Sequence, residues 1–593
     1  MRAATCALTT LLFAAAIGCA TAQAAQVVRV DIRGIDGAMA NDVREALSLQ
    51  DAVGKQVSDR RLDYLLEEAE TETRNALEPY GYYSPQIQVT PSSDRNALVV
   101  TIQVQRGDAV RVRKVAYGIE GPGAKDQYLT QDIDATRPQA GTVFDQGVYE
   151  AGKTKITQRL AQRGYFDADF LSHKVEVTRA ASAADIDLRW TSGERYEMGA
   201  VTFEQTPNEI ISPKLLDRLV YWNEGDYYHQ GRLDRLRKSL VALDYFGRID
   251  IEPLPGDAKD LRVPVQVTLE PAKRSIYTAG VSYGTDSGAG ARFGIERRYL
   301  NKRGHKALAQ VDYAQKRKVA TLQYRVPALK WLDGWYTAGL QFADEQSRYI
   351  DSRRTEFTLS RTGQINTKLD AALSLHALRE RWAYVDPDTK IKTAYQTASL
   401  VFPQVDLHYI SVDDRLYPRR GIGTTFTLRG GSAGASGGFV QAHVRAQWFH
   451  GLGPKDRLIL RGEFGHTVSK DAMQLPPSLR FFAGGDRSIR GYNWREVGPR
   501  IQDARGRYVF AIGANNVVTS SAEYEHYLNE SWGGAVFVDG GSAFNGRKLD
   551  WHTGVGFGVR WRSPVGPVRI DIGRGLKHPD SPFTIHLNIG ADL

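Results

Sequence analysis

The sequence predicts three α+β repeats in its N-terminal half, followed by an all-β, 16-stranded transmembrane β-barrel. A short motif recurs in the first half at nearly equal spacing, beginning at Gly81, Gly164 and Asp244. It consists of a glycine or aspartate followed by two aromatic residues, and we call it the aromatic step. From Ser275 onward, short strands alternate apolar and polar residues between Gly-rich turns. No stretch after the N-terminal segment approaches about 18 consecutive apolar residues, so a transmembrane helix is not expected.

The first two dozen residues are typical of a secretory signal peptide. The apolar stretch 7–17 precedes a small-x-small cleavage site at 22–24, which predicts removal of residues 1–24. A lipoprotein signal ending at Cys19 is the less favoured alternative, because Ala16 stands where a Leu is preferred. The chain's two cysteines, Cys6 and Cys19, both lie in this segment, so we expect a mature chain without disulfides.

Each aromatic step follows a helical pattern and precedes strands with a period of two. The helical patterns lie at residues 62–77, 156–160 and 233–243. The closing strands lie at 98–104, 186–190 and 261–269, and the opening strands at Val28-Val30-Ile32, Val110-Val112 and 196–203. Each unit therefore predicts a small sheet with helices on one face. The predicted units are residues 25–107, 108–193 and 194–272.

These units resemble POTRA domains, the periplasmic modules that precede certain outer-membrane barrels. The resemblance rests on Gly81-Tyr82-Tyr83, Gly164-Tyr165-Phe166 and Asp244-Tyr245-Phe246. We expect the Tyr and Phe side chains to belong to the cores of the units. The exposed edge of each sheet is expected to accept an extended chain by strand addition.

The predicted barrel covers residues 275–593. Its last segment, 583–593, alternates strictly, and Arg560, Arg569 and Asp571 fall on the polar faces of adjacent strands. Such faces indicate a wet, charge-paired lumen rather than a soluble sandwich. The segment 475–506, after the eleventh strand, is long while the alternate connections are tight. We therefore expect this long loop outside the cell and the tight turns on the periplasmic side.

The long loop contains Gly484-Gly485-Asp486-Arg487-Ser488-Ile489-Arg490-Gly491-Tyr492. Ile489 to Tyr492 resembles the (V/I)-R-G-(F/Y) signature on the sixth extracellular loop of the BamA/TamA insertase superfamily. The resemblance implies that the loop folds into the barrel and that Arg490 meets Glu523 and Asp539 on the wall. Alternation also places Asp539 inside, because Val536 and Val538 face outward. A buried guanidinium cannot lose its charge and therefore needs carboxylates; an arginine in solvent is the alternative.

A second motif is Asp413-Asp414-Arg415-Leu416-Tyr417-Pro418-Arg419-Arg420-Gly421, which resembles the superfamily's D-x-x-L-x-P-x-x-G turn. The resemblance covers essentially the whole mature chain, and three POTRA-like units favour its TamA branch, the translocation and assembly module subunits. It implies a barrel in the outer membrane of a Gram-negative bacterium, with the N-terminal domains in the periplasm. It also implies a TamB-like inner-membrane-anchored partner for these domains. The chain departs from many outer-membrane proteins by ending in Leu593 rather than Phe.

The predicted function is insertion or secretion of client β-barrel proteins such as autotransporters. We expect client strands to be templated at a lateral gate between the first strand, 276–285, and the last, 583–593. Gly280, Gly284 and Gly590 lie at this gate and are expected to weaken or bend it, although each also suits an ordinary barrel. The alternative is a two-partner-type secretion pore for one exoprotein. Client outer-membrane proteins and outer-membrane lipids are the expected partners.

Composition and motifs argue against an enzyme and against nucleic-acid binding. The net charge of +9 arises from Lys and Arg scattered among 68 acidic residues, without a sustained basic run. Gly554-x-Gly556-x-Gly558 lacks the strand-turn-helix setting of a dinucleotide site and instead predicts a smooth lumen wall. The sequence contains no H-E-x-x-H motif. The G-x-S-x-G spacing occurs at 280–284, within the predicted first strand of the barrel, and in the Gly-rich stretch 430–438, which is typical of a flexible turn. Neither place has the strand-to-helix elbow that a catalytic serine needs. No cofactor and no metal site are expected.

Overall fold

The structure is a computed structural model of the 593-residue chain. It describes residues 25–94, 97–284, 288–329, 332–346, 350–385, 391–432, 437–469, 475–502, 508–563, 566–577, 579 and 581–589. The predicted signal peptide, residues 1–24, and Gly590 of the predicted gate lie outside the described residues.

The first two repeats share one sheet topology, in which the opening strand pairs parallel to the closing strand. The first repeat contains β1 (Ala25–Arg33), α1 (Gly37–Ala46), β2 (Gln56–Val57), α2 (Asp59–Leu77), β3 (Gln86–Asp94) and β4 (Ala97–Gln105), in the sheet order β2-β1-β4-β3. The second contains β5 (Arg111–Glu120), α3 (Gln127–Thr136), α4 (Gln146–Gln162), β6 (Asp169–Thr178) and β7 (Ala183–Thr191), in the order β5-β7-β6.

The third repeat contains β8 (Glu197–Gln205), α5 (Pro213–Asp217), α6 (Gln230–Leu243), β9 (Phe246–Pro253) and β10 (Arg262–Pro271), in the sheet order β8-β10-β9. The boundary between the chain's two compact units runs through this repeat. Val201–Trp222, Arg232–Pro253 and the chain from Val265 onward belong to the second unit, together with the barrel.

Local sequence explains where the helices form. Asp126 and Asp145 precede α3 and α4, and their carboxylates accept hydrogen bonds from the backbone N–H groups of Tyr128 and Val148. Such caps satisfy amide donors that the first turn of a helix leaves without partners. In α2 the buried residues recur every four positions, at Leu65, Ala69, Thr73 and Leu77, so one face of the helix covers the sheet.

The residues Val28, Val30 and Ile32 of the predicted opening strand do not share one face. Val28 is 48% exposed, whereas Val27 is fully buried and Val30 is 8% exposed. The pairing of β1 with β4 shifts register between Val27 and Arg29. This β-bulge inserts one residue and therefore exchanges the two faces of the strand, which simple alternation cannot anticipate.

The aromatic steps lie at junctions between repeats as well as in cores. Tyr82 packs against the core of the first repeat, while the neighbouring Tyr83 packs against the core of the second. The backbone carbonyl of Gly81 accepts a hydrogen bond from Val110 N at 2.8 Å, at the start of the second repeat. The carbonyl of Gly164 accepts one from Tyr196 N in the same way. The first two steps therefore each attach their repeat to the next.

The C-terminal half forms one antiparallel sheet of 16 strands, which confirms the predicted fold class. The strands are β11 (Ser275–Gly284), β12 (Gly288–Arg297), β13 (Lys306–Ala314), β14 (Arg317–Pro327), β15 (Leu332–Gln346), β16 (Ile350–Asn366), β17 (Leu369–Tyr384), β18 (Gln396–Val412), β19 (Gly421–Ser432), β20 (Gly438–Gly451), β21 (Asp456–Ser469), β24 (Asn516–Tyr527), β25 (Trp532–Phe544), β26 (His552–Ser563), β27 (Gly566–Gly575) and β28 (Thr584–Ile589). The short strands β22 (Arg500–Gln502) and β23 (Tyr508–Ala511) pair separately within the long loop.

No helix among the described residues has the length and apolar character needed to cross a membrane. Exposed Val, Leu, Ile and Phe side chains occupy alternate positions along the barrel strands, as at Val536 and Val538 on β25. The intervening residues of that strand, Ala535, Phe537 and Asp539, are buried. The apolar face of the sheet therefore points outward and the polar face points into the lumen.

Candidate functional site

Loop six denotes residues 470–515, between β21 and β24. At its centre, Gly491 has a φ of +93°, a left-handed conformation that glycine adopts without strain. A Cβ atom there would clash with the carbonyl carbon of Arg574 and would lie 2.6 Å from Gly575 N. Only a glycine therefore lets the backbone of the loop lie directly against β27.

Arg490, the residue before this glycine, is 2% exposed and points into a group of carboxylates. Its Nε and Nη2 donate to the two carboxylate oxygens of Asp539 at 2.7 and 3.0 Å. Its Nη1 donates to Glu523 at 2.6 Å and to Asp571 at 3.2 Å. The backbone N–H of Arg490 also donates to Asp539 at 2.9 Å. Arg490 with Glu523, Asp539 and Asp571 forms what we call the ionic anchor.

A second arginine shares two acids of the ionic anchor. Arg560 Nη2 donates to Glu523 at 2.7 Å, and its Nη1 donates to Asp571 at 2.7 Å. Its Nε donates to Glu525 at 2.9 Å, and Glu525 in turn accepts from Arg457 Nε at 2.5 Å. Alternating charges thus continue across the wall. Each buried charge here is matched by opposite charges, as burial of ions requires.

The guanidinium of Arg490 also lies on an aromatic ring. Its Cζ atom is 3.5 Å from the ring centroid of Phe537, an inward-facing residue of β25. A Cβ atom at Gly556 would clash with the edge of this ring. Gly556 therefore provides the space for Phe537, and Phe537 supports the guanidinium through a cation–π contact.

Three wall glycines, Gly554, Gly573 and Gly575, form a seat for the loop backbone. A Cβ atom at Gly554 would overlap the carbonyl oxygen of Arg490, and one at Gly573 would lie 2.6 Å from Gly491 N. A Cβ at Gly575 would lie 2.7 Å from the Tyr492 ring. Tyr492 is fully buried, and its hydroxyl accepts from Lys577 N at 2.9 Å. Close backbone approach thus complements the ionic anchor.

Loop six also contacts the last strand, β28. The N–H of Gly491 donates to Nε2 of His586 at 3.2 Å, and Asn588 Nδ2 donates to Asp486 at 3.1 Å. Both are inward-facing residues of β28, and His586 is only 9% exposed. The sequence pattern placed His586 and Asn588 on the polar face but gave no sign that loop six would reach them.

The N-terminal part of loop six is attached to a different sector of the wall. Leu475 and Leu479, each 3% exposed, enter an apolar cluster of inward-facing residues. The wall side of this cluster consists of Ile350, Leu378, Trp382, Tyr384, Ala398, Leu400, Phe402 and Phe439, from β16, β17, β18 and β20. Arg480 Nη1 donates to the carbonyl of Ile512 at 2.9 Å, which ties both ends of the loop together. We call this cluster the apolar anchor.

The sheet begins at β11 and ends at β28, and among the described residues of these strands no backbone pairing joins them. We call the junction of β11 and β28 the seam. Outward-facing side chains at the seam are unusually exposed, at 92% for Val281 and 69% for Ile585, against 56% for Val536 on β25, away from the seam. Gly280 lies opposite Arg292 in the pairing of β11 with β12, and Gly284 lies opposite Gly288. A Cβ atom at Gly280 would meet nothing within 4 Å, so space does not require that glycine.

The turn between β18 and β19 is organised by one carboxylate. Asp413 Oδ1 accepts hydrogen bonds from the backbone N–H groups of Asp414, Arg419 and Arg420, at 2.9 to 3.1 Å. Burial acts to raise the pKa of Asp413, but these backbone hydrogen bonds outweigh it and lower the pKa. This geometry gives the D-x-x-L-x-P-x-x-G pattern a structural reason.

Comparison with protein families agrees with this architecture. Residues 300–592 match the Omp85 superfamily domain. Residues 29–106 match the model for POTRA domain TamA domain 1, and residues 196–272 match a POTRA model described as a surface antigen variable number repeat. The C-terminal half of the chain is therefore an Omp85 superfamily domain, and POTRA domains precede it. As in its Omp85 relatives, the barrel lies in the outer membrane and the POTRA domains lie in the periplasm.

The chain is similar to several proteins named outer membrane protein assembly factor BamA. The protein of Nitratidesulfovibrio vulgaris is 23% identical over 500 residues, 81% of this chain and 61% of its own length. That of Neorickettsia risticii is 21% identical over 462 residues, covering 75% and 61%. The chain thus spans about three fifths of these relatives. The crystal structure of Haemophilus ducreyi BamA lacking POTRA domains 1–3 aligns with a TM-score of 0.62 at 16% identity, covering 80% of this chain and 99% of that one, which supports the fold.

Proposed function

We propose that this Omp85 protein inserts or assembles client β-barrel proteins, such as autotransporters, in the outer membrane. The observation that carries the proposal is the seam between β11 and β28, whose described residues do not pair and whose outward side chains are highly exposed. A strand edge with free backbone groups can pair with an extended client strand. The BamA relatives are named outer membrane protein assembly factors, which adds support from similarity. Omp85 proteins are assembly or transport factors rather than enzymes.

The attachment of loop six inside the lumen favours assembly at the seam over passage of a chain through a pore. Loop six is attached inside the barrel at the apolar anchor and again at the ionic anchor. A secreted chain would have to displace both attachments before it could pass. Opening at the seam requires neither to break completely, although β28 would have to leave its contacts with loop six.

We further propose a TamA-like role, with a TamB-like inner-membrane-anchored protein bound by the POTRA domains. Two features support it: the match of residues 29–106 to a TamA POTRA model, and three repeats in front of the barrel. In the first repeat, β3 lies at the edge of its sheet, and the residues before Pro91, from Gln86 to Thr90, are available for strand addition. Proteins co-purified with residues 25–272 should include such a partner, and substitution of Val89 by proline should reduce its recovery.

A disulfide across the seam tests the assembly proposal. A cysteine at Gly280 is combined in turn with cysteines at each position from Thr584 to Asn588, and the pair that forms a disulfide is selected. Cys6 and Cys19 lie in the predicted signal peptide, so the bond formed is the engineered one. We expect the oxidised protein to lose client insertion into liposomes and the reduced protein to regain it.

The matched control joins Ser411 to Ile422, which face each other on β18 and β19 away from the seam. This disulfide should leave client insertion unchanged. Full insertion activity in the oxidised seam variant would refute templating at the seam. Retained secretion of one exoprotein by that same variant would instead establish the two-partner-type pore.

A further inference from the structure

Four basic residues face outward at one end of three barrel strands, β14, β16 and β17. Lys318 lies near the start of β14, Arg353 near the start of β16, and Arg379 and Arg381 near the end of β17. All four are exposed, and the side chain of Arg353 is 67% exposed. We call these four residues the cationic patch.

Strand pairing aligns the patch in rows. Lys318 lies opposite Asp344, Asp344 opposite Arg353, and Arg353 opposite Arg381. With strands about 4.8 Å apart, this row extends over roughly 14 Å. Arg379 lies in the adjacent row, opposite Thr355. The carboxylate of Asp344 is 3.3 Å from Arg353 Nε. Asp351, two residues before Arg353, is paired with Lys392, so the four cations of the patch keep an excess of positive charge.

The patch lies at the outer boundary of the lipid-facing surface. The chain enters β11 from the periplasmic third repeat, so the start of β14 and the end of β17 lie at the extracellular side. Farther into the membrane, the outward positions on these strands hold exposed apolar residues, including Leu322, Phe342, Phe357 and Leu375. A depression of about 440 Å³ is lined by the patch together with Asp344 and Phe342. A bound molecule could thus place an anionic head beside the cations and apolar chains below them.

The strands β18 to β21 lack this arrangement, and β27 has a single basic residue, Arg574, exposed on its outward face near the same end. The outward positions near the same end of β18 to β21 are Thr397, Ser399, Gly430, Val440 and Val468, none of which is charged. Basic residues that only mark a membrane interface would be spread around the barrel. Their concentration on β14, β16 and β17 indicates a local binding partner.

We propose that the cationic patch binds a lipid of the outer leaflet whose headgroup carries phosphate groups. Arginine matches the geometry of phosphate oxygens with paired N–H donors, and lysine adds a mobile point charge. The aliphatic parts of these side chains lie along the apolar surface while their heads reach the polar region. A freely diffusing phosphate would not need the apolar surface below, which favours a lipid. The inference is independent of the proposed assembly function.

The test compares lipid binding by the full-length protein and a variant without the patch charges. The variant is Lys318→Gln/Arg353→Gln/Arg379→Gln/Arg381→Gln, and the probe is lipid A, a glycolipid with two phosphate groups, measured by native mass spectrometry. We expect binding to weaken about tenfold or more, because each cation beside an anionic headgroup contributes to attraction. Binding of dephosphorylated lipid A should be equal and weak in both proteins. High salt should weaken binding by the wild-type protein.

The matched control removes four exposed charges from periplasmic turns: Arg303→Gln/Lys368→Gln/Arg415→Gln/Arg420→Gln. It should bind lipid A like the wild type, which separates a local site from an effect of net charge. Equal binding by the wild type and the patch variant, or equal losses in patch and control variants, would overturn the proposal. So would displacement of wild-type-bound lipid A by equimolar inorganic phosphate. If the fourfold variant fails to fold, Arg353→Gln/Arg381→Gln provides the same comparison.

Discussion

The apolar and ionic anchors attach one loop to the barrel by different physical means. At the apolar anchor, Leu475 and Leu479 fill space among aromatic and aliphatic side chains. At the ionic anchor, one guanidinium serves three carboxylates on β24, β25 and β27. Apolar packing depends on volume, whereas the ionic anchor depends on charge and direction. The apolar anchor therefore holds loop six by packing, and the ionic anchor sets its orientation.

The largest effect is expected from Arg490→Ala. This change leaves Arg560 beside Glu523 and Asp571 and Arg461 beside Glu523, but it removes the guanidinium that bridges all three acids. Breaking such a buried group typically costs about 3–5 kcal/mol. The barrel should unfold at lower temperature in heat-dependent gel mobility, and loop six should become sensitive to protease. Arg490→Lys should recover little, since an ammonium cannot make the planar, two-acid contact.

Arg487→Ala is the matched control, because Arg487 lies three residues away in the same loop but is exposed. It should behave like the wild type. Equal heat resistance and protease resistance in Arg490→Ala and Arg487→Ala would show that the ionic anchor does not hold the loop.

A smaller and differently located effect is expected from Leu479→Ala. Loss of a buried leucine side chain costs about 2–4 kcal/mol through lost burial and the cavity that remains. Limited proteolysis should then cut first near residues 475–480, while the segment around Arg490 stays protected. Leu479→Met conserves volume and should cost less than about 1.5 kcal/mol. If cleavage instead begins near Arg490 in Leu479→Ala, the two anchors are not independent.

The smallest effect is expected at the contact between loop six and β28. His586→Leu removes the acceptor for the buried Gly491 N–H, which should cost about 1–3 kcal/mol because the donor is left without this partner. Hydrogen exchange of a peptide spanning residues 489–492 should accelerate, and His586→Gln, whose side-chain oxygen can accept the bond, should restore slow exchange. Leu587→Ala, an outward change on the same strand, is the control. Unchanged hydrogen exchange in His586→Leu would show that β28 does not stabilise loop six beside the ionic anchor.

Sequence patterns predicted the fold and part of the site, but not the full network of ion pairs around Arg490. Alternation and repeat spacing predicted 16 strands after three repeats, because both follow from local periodicity. The sequence also named Arg490, Glu523 and Asp539, which the structure brings together. It did not assign Asp571 or Arg560 to this group, although alternation placed both in the lumen. Contacts between strands that are distant in the chain depend on how the barrel closes, and periodicity carries no such information.

The aromatic steps that join the repeats also differ in a way that fixes their order. The first two begin with Gly81 and Gly164, at φ values of +86° and +88°, and a Cβ atom at either would crowd the following repeat. The third begins with Asp244, whose φ of +53° is tolerated by aspartate and whose carboxylate accepts from Arg298 Nε at 2.8 Å.

Tyr245 then donates its hydroxyl hydrogen bond to the carbonyl of Gly304, in the turn between β12 and β13. The third step is thus fitted to a barrel turn, whereas the first two are fitted to another repeat. Exchanging the repeats by recombination would place aspartate where only glycine fits and would remove the partner of Arg298. The three modules share a fold, yet they are not interchangeable parts.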